Sequence, residues 1–240
     1  MLKIVVIMVF AFLGSSSQLL AQALSEGPLW KVHGSEFLTY QGQTLTFNAS
    51  ELKKHRNRLR CVKMNNYGCM MGRSWNGAVG SDKAGHTVFK HPKWSVRAVV
   101  RDYCSKNRRG LKSALQIAEA YSPWCDTLGT VAVRHGWGRT CGNGPKPPAN
   151  FSGPLCKKPA GGIPLSGQCK SCNCPDGVAR AMSASVGVDM SDDLGLFEGD
   201  GTPNAKNLTA VLRSKFRRET GFTVSDALLK EGIQLAGECK

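Results

Sequence analysis

Apolar residues recur at helical spacing over most of the chain. In the clearest stretch, Val96, Val100 and Tyr103 share one face of a helix that begins at Pro92, while Arg97 falls on another face. Comparable patterns predict further helices over residues 48–59, 111–122, 178–188, 208–221 and 225–236. Helices therefore dominate the predicted secondary structure.

A smaller part of the pattern alternates, as strands do. Polar and apolar residues alternate over residues 37–40 and 43–47, on either side of Gly42, which predicts one or two short strands or a hairpin. Residues 86–89 form another strand-like run after a glycine-rich loop. The predicted fold class is thus mainly α with a small β element, an α+β arrangement.

The first residues have a pattern of their own. Lys3 precedes an apolar run over residues 4–13, and Ala21-Gln22-Ala23 fits a signal-peptide cleavage pattern. About ten apolar residues are too few to span a bilayer. We therefore predict a signal peptide over residues 1–23, an exported mature chain, and no transmembrane segment after cleavage. A buried N-terminal core helix is the alternative.

Residues 126–177 lack helical periodicity. Five of the ten cysteines fall there, among glycines and prolines. An even cysteine count in an exported chain favours disulfides. Cys169, Cys172 and Cys174 are also spaced like a metal knuckle, which would need a fourth ligand. We predict a disulfide-rich loop insertion in a single domain whose other parts are residues 24–125 and 178–240.

Positive charge is concentrated in one segment. Between Glu51 and Lys112 the chain has sixteen Lys and Arg and three acids, a net charge of +13, whereas acids outnumber bases from Asp176 onward. Such a block favours a polyanionic partner: nucleic acid, anionic lipid or the acidic polymers of a bacterial envelope. Export and the absence of a recognised nucleic-acid motif argue against nucleic acid. A solvated surface that aids solubility is the alternative.

A series of motifs follows in order along the chain. Asn65-Asn66-Tyr67-Gly68 forms a turn, Ser74-Trp75-Asn76-Gly77 a loop, and residues 89–99 a helix start. Further motifs lie at residues 110–123, 178–189 and 208–236. The series resembles a family of phage and prophage proteins with an Asn-Asn-Pro-Gly-Asn turn and a Trp-x-Gly loop, over about 120 residues. Its members are usually described as phage virion structural proteins, and the pattern resembles lysozyme-like, peptidoglycan-cleaving enzymes.

The resemblance implies a lysozyme-like helical domain and a catalytic glutamate. In lysozyme-like enzymes a glutamate on a helix ahead of the turn protonates the glycosidic oxygen, because an apolar cleft raises its pKa. Glu51 is the only glutamate before the turn that lies on a predicted helix, so it is the candidate general acid. Asn65, Asn66, Tyr67 and Trp75 are the candidate substrate-binding residues.

The chain departs from the family pattern near this site. Tyr67 stands in place of the turn's proline, Cys69 in place of its last asparagine, and Lys93 in place of the usual glutamate. The Glu-Gly step of catalytic relatives is missing at Glu51. Basic neighbours such as Lys54 would also lower the pKa of Glu51, the wrong direction for a general acid.

From these features we expect an exported, lysozyme-like protein that acts on or binds peptidoglycan. As an enzyme it would be a glycosidase or lytic transglycosylase. The alternative is a non-catalytic structural, virion or envelope-binding protein that uses its basic face. The expected location is periplasmic or secreted, with virion association as a variant. The expected partners are peptidoglycan or another anionic envelope polymer, and virion or secretion-complex proteins. No cofactor and no metal ion is predicted.

Overall fold

The computed structural model describes residues 26–72, 74–121 and 176–240. About half of these residues are helical, and the strands are short, which confirms the mainly α fold with a small β element. The helices are α1 (Trp30–Phe37), α2 (Ala49–Lys54), α3 (Leu59–Lys63), α4 (Pro92–Arg108), α5 (Ala114–Tyr121), α6 (Asp176–Val186), α7 (Ala205–Thr220) and α8 (Asp226–Ala236), with one 3₁₀ turn at Arg56–Arg58. The strands are β1 (Leu38–Tyr40), β2 (Gln43–Thr44), β3 (Ala78–Ser81), β4 (Thr87–Phe89) and β5 (Thr223–Val224).

The described residues divide into two units. The first contains the described residues up to Asp102 together with Phe216–Gly237, and the second contains the described residues of Tyr103–Lys215 together with Glu238–Lys240. Within the described ranges, no helix is both long enough and apolar enough to cross a membrane. The predicted signal peptide, 1–23, and nearly all of the predicted insertion, 126–177, lie outside the described residues.

The first unit contains both small sheets. In one of them β1 is central and pairs antiparallel with β2 and with β5, so that Thr39 lies opposite Thr44 on one side and Thr223 on the other. The turn between β1 and β2 uses Gln41 and Gly42 at positive φ, which confirms the hairpin predicted around Gly42. The other sheet pairs β3 with β4.

Helix α2 begins where the sequence predicts but ends earlier than predicted. The Asn48 side chain accepts a hydrogen bond from the amide of Glu51, which begins the helix as predicted. The predicted helix over residues 48–59 is nevertheless interrupted, because the backbone leaves helical geometry at His55 and continues as a 3₁₀ turn. The helical pattern resumes only in α3, whose inner face is formed by Leu59, Cys61 and Val62.

Helices α4 and α8 pack closely in the first unit. A Cβ on Gly232 would lie 2.3 Å from the Cβ of Val96, so only glycine permits this approach. Lys93 and Glu231 form an ion pair of 2.7 Å along the same contact. Val96 itself is fully buried, as its position on the apolar face of the predicted helix requires.

The second unit packs α5 against α6 and is tied by a disulfide. Ala118 of α5 and Ala179 of α6 are fully buried small residues, which allow close helix packing. Cys104 and Cys239 form a disulfide across 135 positions of sequence. The disulfide partly confirms the prediction of bridged cysteines; six further cysteines lie outside the described residues.

The sequence pattern missed one helix near the start of the described residues. Residues 37–40 were predicted as a strand, but Phe37 ends helix α1, and β1 begins at Leu38. In α1 only Trp30, His33 and Gly34 are buried. So few buried positions leave no apolar stripe in the sequence, which explains why the helix was not predicted.

Candidate functional site

The Asn65–Asn66 turn ends helix α3 in a defined way. Asn65 has φ 51°, the left-handed conformation that asparagine tolerates better than most residues. Its amide donates to Val62 O, and the amide of Asn66 donates to Cys61 O, the two hydrogen bonds of a Schellman motif. The disulfide between Cys61 and Cys69 closes a ring around this turn.

Both asparagine side chains of the turn are fully buried and engaged with protein groups. Asn65 Nδ2 donates to the carbonyls of Pro28 and Phe89. Asn66 accepts from the amide of Met70 and donates to the carbonyls of Met70 and Thr87. The two amides therefore hold the backbone together around the turn. The role of Asn65 and Asn66 as ligand contacts stays a prediction, because in this structure their side chains contact the backbone.

Tyr67 and Trp75 differ in their access to solvent. Tyr67 is fully buried, burial and the charge of Glu36 raise the pKa of its hydroxyl, and this hydroxyl has no hydrogen-bond partner among the described residues. Trp75 is half-buried, and its Nε1 donates to Met71 O at 2.8 Å. Of the four predicted binding residues, only Trp75 presents surface to a ligand.

Glu51 completes the cap of α2. Its carboxylate accepts hydrogen bonds from the backbone amides of Thr46 and Phe47, both at 2.7 Å, and from the Thr46 hydroxyl at 3.1 Å. The backbone hydrogen bond from Thr46 is the largest effect on the pKa of Glu51. With the further bonds from Phe47 and Thr46 it holds this pKa below the ordinary value, despite some desolvation. Glu51 is therefore ionised near neutral pH and occupied by its own backbone neighbours.

Two histidine rings contact each other beside the turn. The rings of His33 and His91 are 4.4 Å apart, and His33 Nδ1 lies 3.3 Å from Asn65 Oδ1. Burial, and then the neighbouring His33 and Lys93, lower the pKa of His91 from 6.5 to about 4. His91 is therefore neutral in the folded protein at pH 5, where the unfolded chain would carry a proton on it.

Stability is expected to fall as the pH is lowered from 7 to 4.5. In this interval the unfolded state binds more protons at His91 than the folded state does, so the free energy of unfolding decreases. Because His91 is partly solvent-exposed, solvent screening reduces the loss to about 1–2 kcal/mol. Urea unfolding at both pH values would measure it. The variant His91→Gln should lose less stability over the same interval, and an equal loss would contradict the assignment.

A polar cleft of about 540 Å³ lies elsewhere in the first unit. Its walls come from the end of β1, the 3₁₀ turn, the last turn of α7, and β5. Three arginines line it, namely Arg58, Arg217 and Arg218, together with Glu219 and the ring of Tyr40. Neutral polar side chains such as Asn57 and Thr223 complete the lining.

The cleft was not predicted from the sequence. Arg217 and Arg218 lie in the C-terminal part, where the net charge is slightly negative, and this average hides the local run Arg213-Ser-Lys-Phe-Arg-Arg218. This run could have indicated a basic site, because four cations within six residues are more than the interaction with the helix dipole at a C-terminus requires. Its juxtaposition with Arg58, which is far away in sequence, could come only from the fold.

The other candidate site is a metal site, and the structure describes residues 26–72, 74–121 and 176–240. No cluster of three or more His, Cys, Asp or Glu side chains there could hold a metal ion. The three cysteines spaced like a metal knuckle, Cys169, Cys172 and Cys174, lie outside these ranges. Neither a scan of protein-family models nor a search of curated proteins found a match to this chain.

Proposed function

We propose that this chain is an exported, lysozyme-like protein that binds peptidoglycan or an attached anionic wall polymer without cleaving it. The observation that carries the proposal is the state of Glu51. A general acid for glycoside cleavage needs a protonated carboxyl group near neutral pH. The carboxylate of Glu51 instead accepts three hydrogen bonds at the start of α2, and its pKa is lowered.

The binding part of the proposal is supported by charge. The segment from Glu51 to Lys112 carries a net +13, and many of its cations are exposed, among them Lys53, Lys54 and Arg56. Cationic surfaces raise the local concentration of polyanions and speed their association. The resemblance to the phage virion family and to lysozyme-like proteins favours the cell wall as the site of action. The signal peptide predicted over residues 1–23 would direct export.

Sedimentation and turbidity measurements on isolated peptidoglycan distinguish binding from cleavage. The wild-type protein is expected to sediment with purified sacculi and to leave the turbidity of their suspension unchanged, while an active muramidase clears a parallel sample. The Glu51→Gln variant should sediment to the same extent as the wild type. Sedimentation that persists in high salt would indicate recognition beyond exposed charge, since salt screens exposed charges.

Two results would contradict the proposal. Clearing of the suspension by the wild-type protein, lost in Glu51→Gln, would assign a catalytic role to Glu51 after all. Failure of the wild-type protein to sediment with sacculi at low salt would remove the wall as its binding partner. Asn76→Ala, a change at an exposed loop residue, serves as the matched control for handling and folding.

A further inference from the structure

The basic cleft described above has an unusual charge balance. Arg58, Arg217 and Arg218 give it three positive charges, and Glu219 supplies the one carboxylate that lines it among the described residues, which leaves a net charge of +2. None of the three arginines has an ion-pair partner in the described part of the chain. Like charges gathered in one cleft repel each other, and an anionic ligand would relieve this repulsion.

Arg58 contacts two other residues that line the cleft, Gly221 and Tyr40. A Cβ on Gly221 would lie 2.8 Å from Arg58 Cδ, so the arginine side chain runs directly over this glycine. The guanidinium carbon also lies 5.8 Å from the centre of the Tyr40 ring, within cation–π range. A side chain restricted by such contacts loses less conformational entropy on binding than a free one.

A buried histidine lies near Arg58 but adds no charge to the cleft. His55 packs edge-on against Tyr40 and Phe222, with ring centroids 4.7 and 5.2 Å away. Burial, followed by the charges of Lys54 and Arg58, lowers the pKa of His55, and the carboxylate of Glu51 opposes this only partly. His55 therefore adds no positive charge near neutral pH, and the arginines supply the attraction for an anion.

We propose that this arginine cleft binds an oxyanion carried on a sugar or polyol unit of a wall polymer. Planar guanidinium groups bind phosphate and carboxylate oxygens through paired hydrogen bonds. The volume of about 540 Å³ lies within the range of small-molecule sites, and Thr39, Gln41 and Asn57 offer neutral hydrogen-bonding groups for hydroxyls. This inference rests on the proposed wall-binding function and names the site and the ligand chemistry for it.

The variant for the test is Arg217→Gln with Arg218→Gln, because both side chains are exposed and their loss leaves the core intact. Its matched control is Arg109→Gln with Arg180→Gln, which removes two exposed arginines that do not line the cleft. Both double variants change the net charge by the same amount. Arg58→Lys keeps the charge and removes the planar guanidinium group.

Calorimetric titration with two probes tests the site. One probe is a glycerol phosphate trimer, which carries phosphodiesters, and the other is a disaccharide peptide from peptidoglycan, which carries carboxylates. At least one probe should bind the wild-type protein. Its Kd should rise at least tenfold in Arg217→Gln/Arg218→Gln and severalfold in Arg58→Lys, and stay within twofold in the control. The probe that shows this loss identifies the source of the oxyanion.

Three outcomes would overturn the inference. The first is an equal loss of affinity in the cleft variant and the control, which would indicate general charge attraction. The second is displacement of the probe by a single-stranded oligonucleotide at equal charge concentration, which would indicate an unspecific polyanion site. The third is sedimentation with sacculi by the wild type with no binding of either probe, which would leave the wall-binding proposal standing and remove the cleft from it.

Discussion

Replacement of Asn66 by alanine is expected to destabilise the protein by about 3 kcal/mol. The substitution leaves the buried amide of Met70 without its acceptor and takes one donor from each of the buried carbonyls of Met70 and Thr87. A buried polar group that loses its partner costs about 1–3 kcal/mol. Urea unfolding followed by circular dichroism would measure the change in the free energy of unfolding.

The control for this prediction is an asparagine of the same region that is exposed. Asn76→Ala should change the free energy of unfolding by less than about 0.5 kcal/mol, as surface substitutions usually do. Asn66→Asp keeps the acceptor for Met70 and removes the donors, so it should also be destabilising. Equal stabilities of Asn66→Ala and Asn76→Ala would show that the side-chain network around the turn contributes nothing.

The second large effect concerns the two described disulfides. Loss of Cys104–Cys239 should destabilise the protein by about 2 kcal/mol more than loss of Cys61–Cys69. The first bridge spans 135 positions and the second 8, and in the chain-entropy model the cost of opening a bridge grows with the logarithm of loop length. The variants are Cys104→Ala/Cys239→Ala and Cys61→Ala/Cys69→Ala, compared by urea unfolding under identical oxidising conditions.

The comparison between the two pairs contains its own control, because each variant removes two sulfurs from the protein. Both variants also lose packing, because Cys61 is buried in a cluster with Met64 and Val88, and Cys104 and Cys239 are buried as well. If the short bridge proves as important as the long one, local packing around the Asn65–Asn66 turn would outweigh chain entropy.

Much of the fold followed from periodicity, and its failures have physical causes. The helix that begins at Pro92 was predicted because its apolar face is fully buried along α4. Strands β3 and β5 were missed because they span only four and two residues, too few for an alternating side-chain pattern to be recognised. At the break in the predicted helix, the His55 ring contacts Tyr40 and Phe222, which are far away in sequence and which only the folded chain brings together.

The candidate site was harder to predict than the fold. A polar residue in a turn has the same sequence signature whether it contacts a ligand or the backbone, and Asn65 and Asn66 contact the backbone. For Glu51 the sequence did contain the relevant signal: an asparagine three residues earlier is a typical helix cap, and basic neighbours follow. The arginine cleft depends on long-range contacts that no local pattern encodes.

The bridge between Cys104 and Cys239 has a consequence for the order of events in the cell. Its two cysteines are separated by more than half of the chain, so the bond can form only after that whole stretch has reached an oxidising compartment. In an exported chain, the cytoplasm would therefore hold a reduced form without this bridge's contribution to stability. A less stable chain unfolds more easily for passage through a narrow channel, and the bridge formed on the far side would then oppose its return.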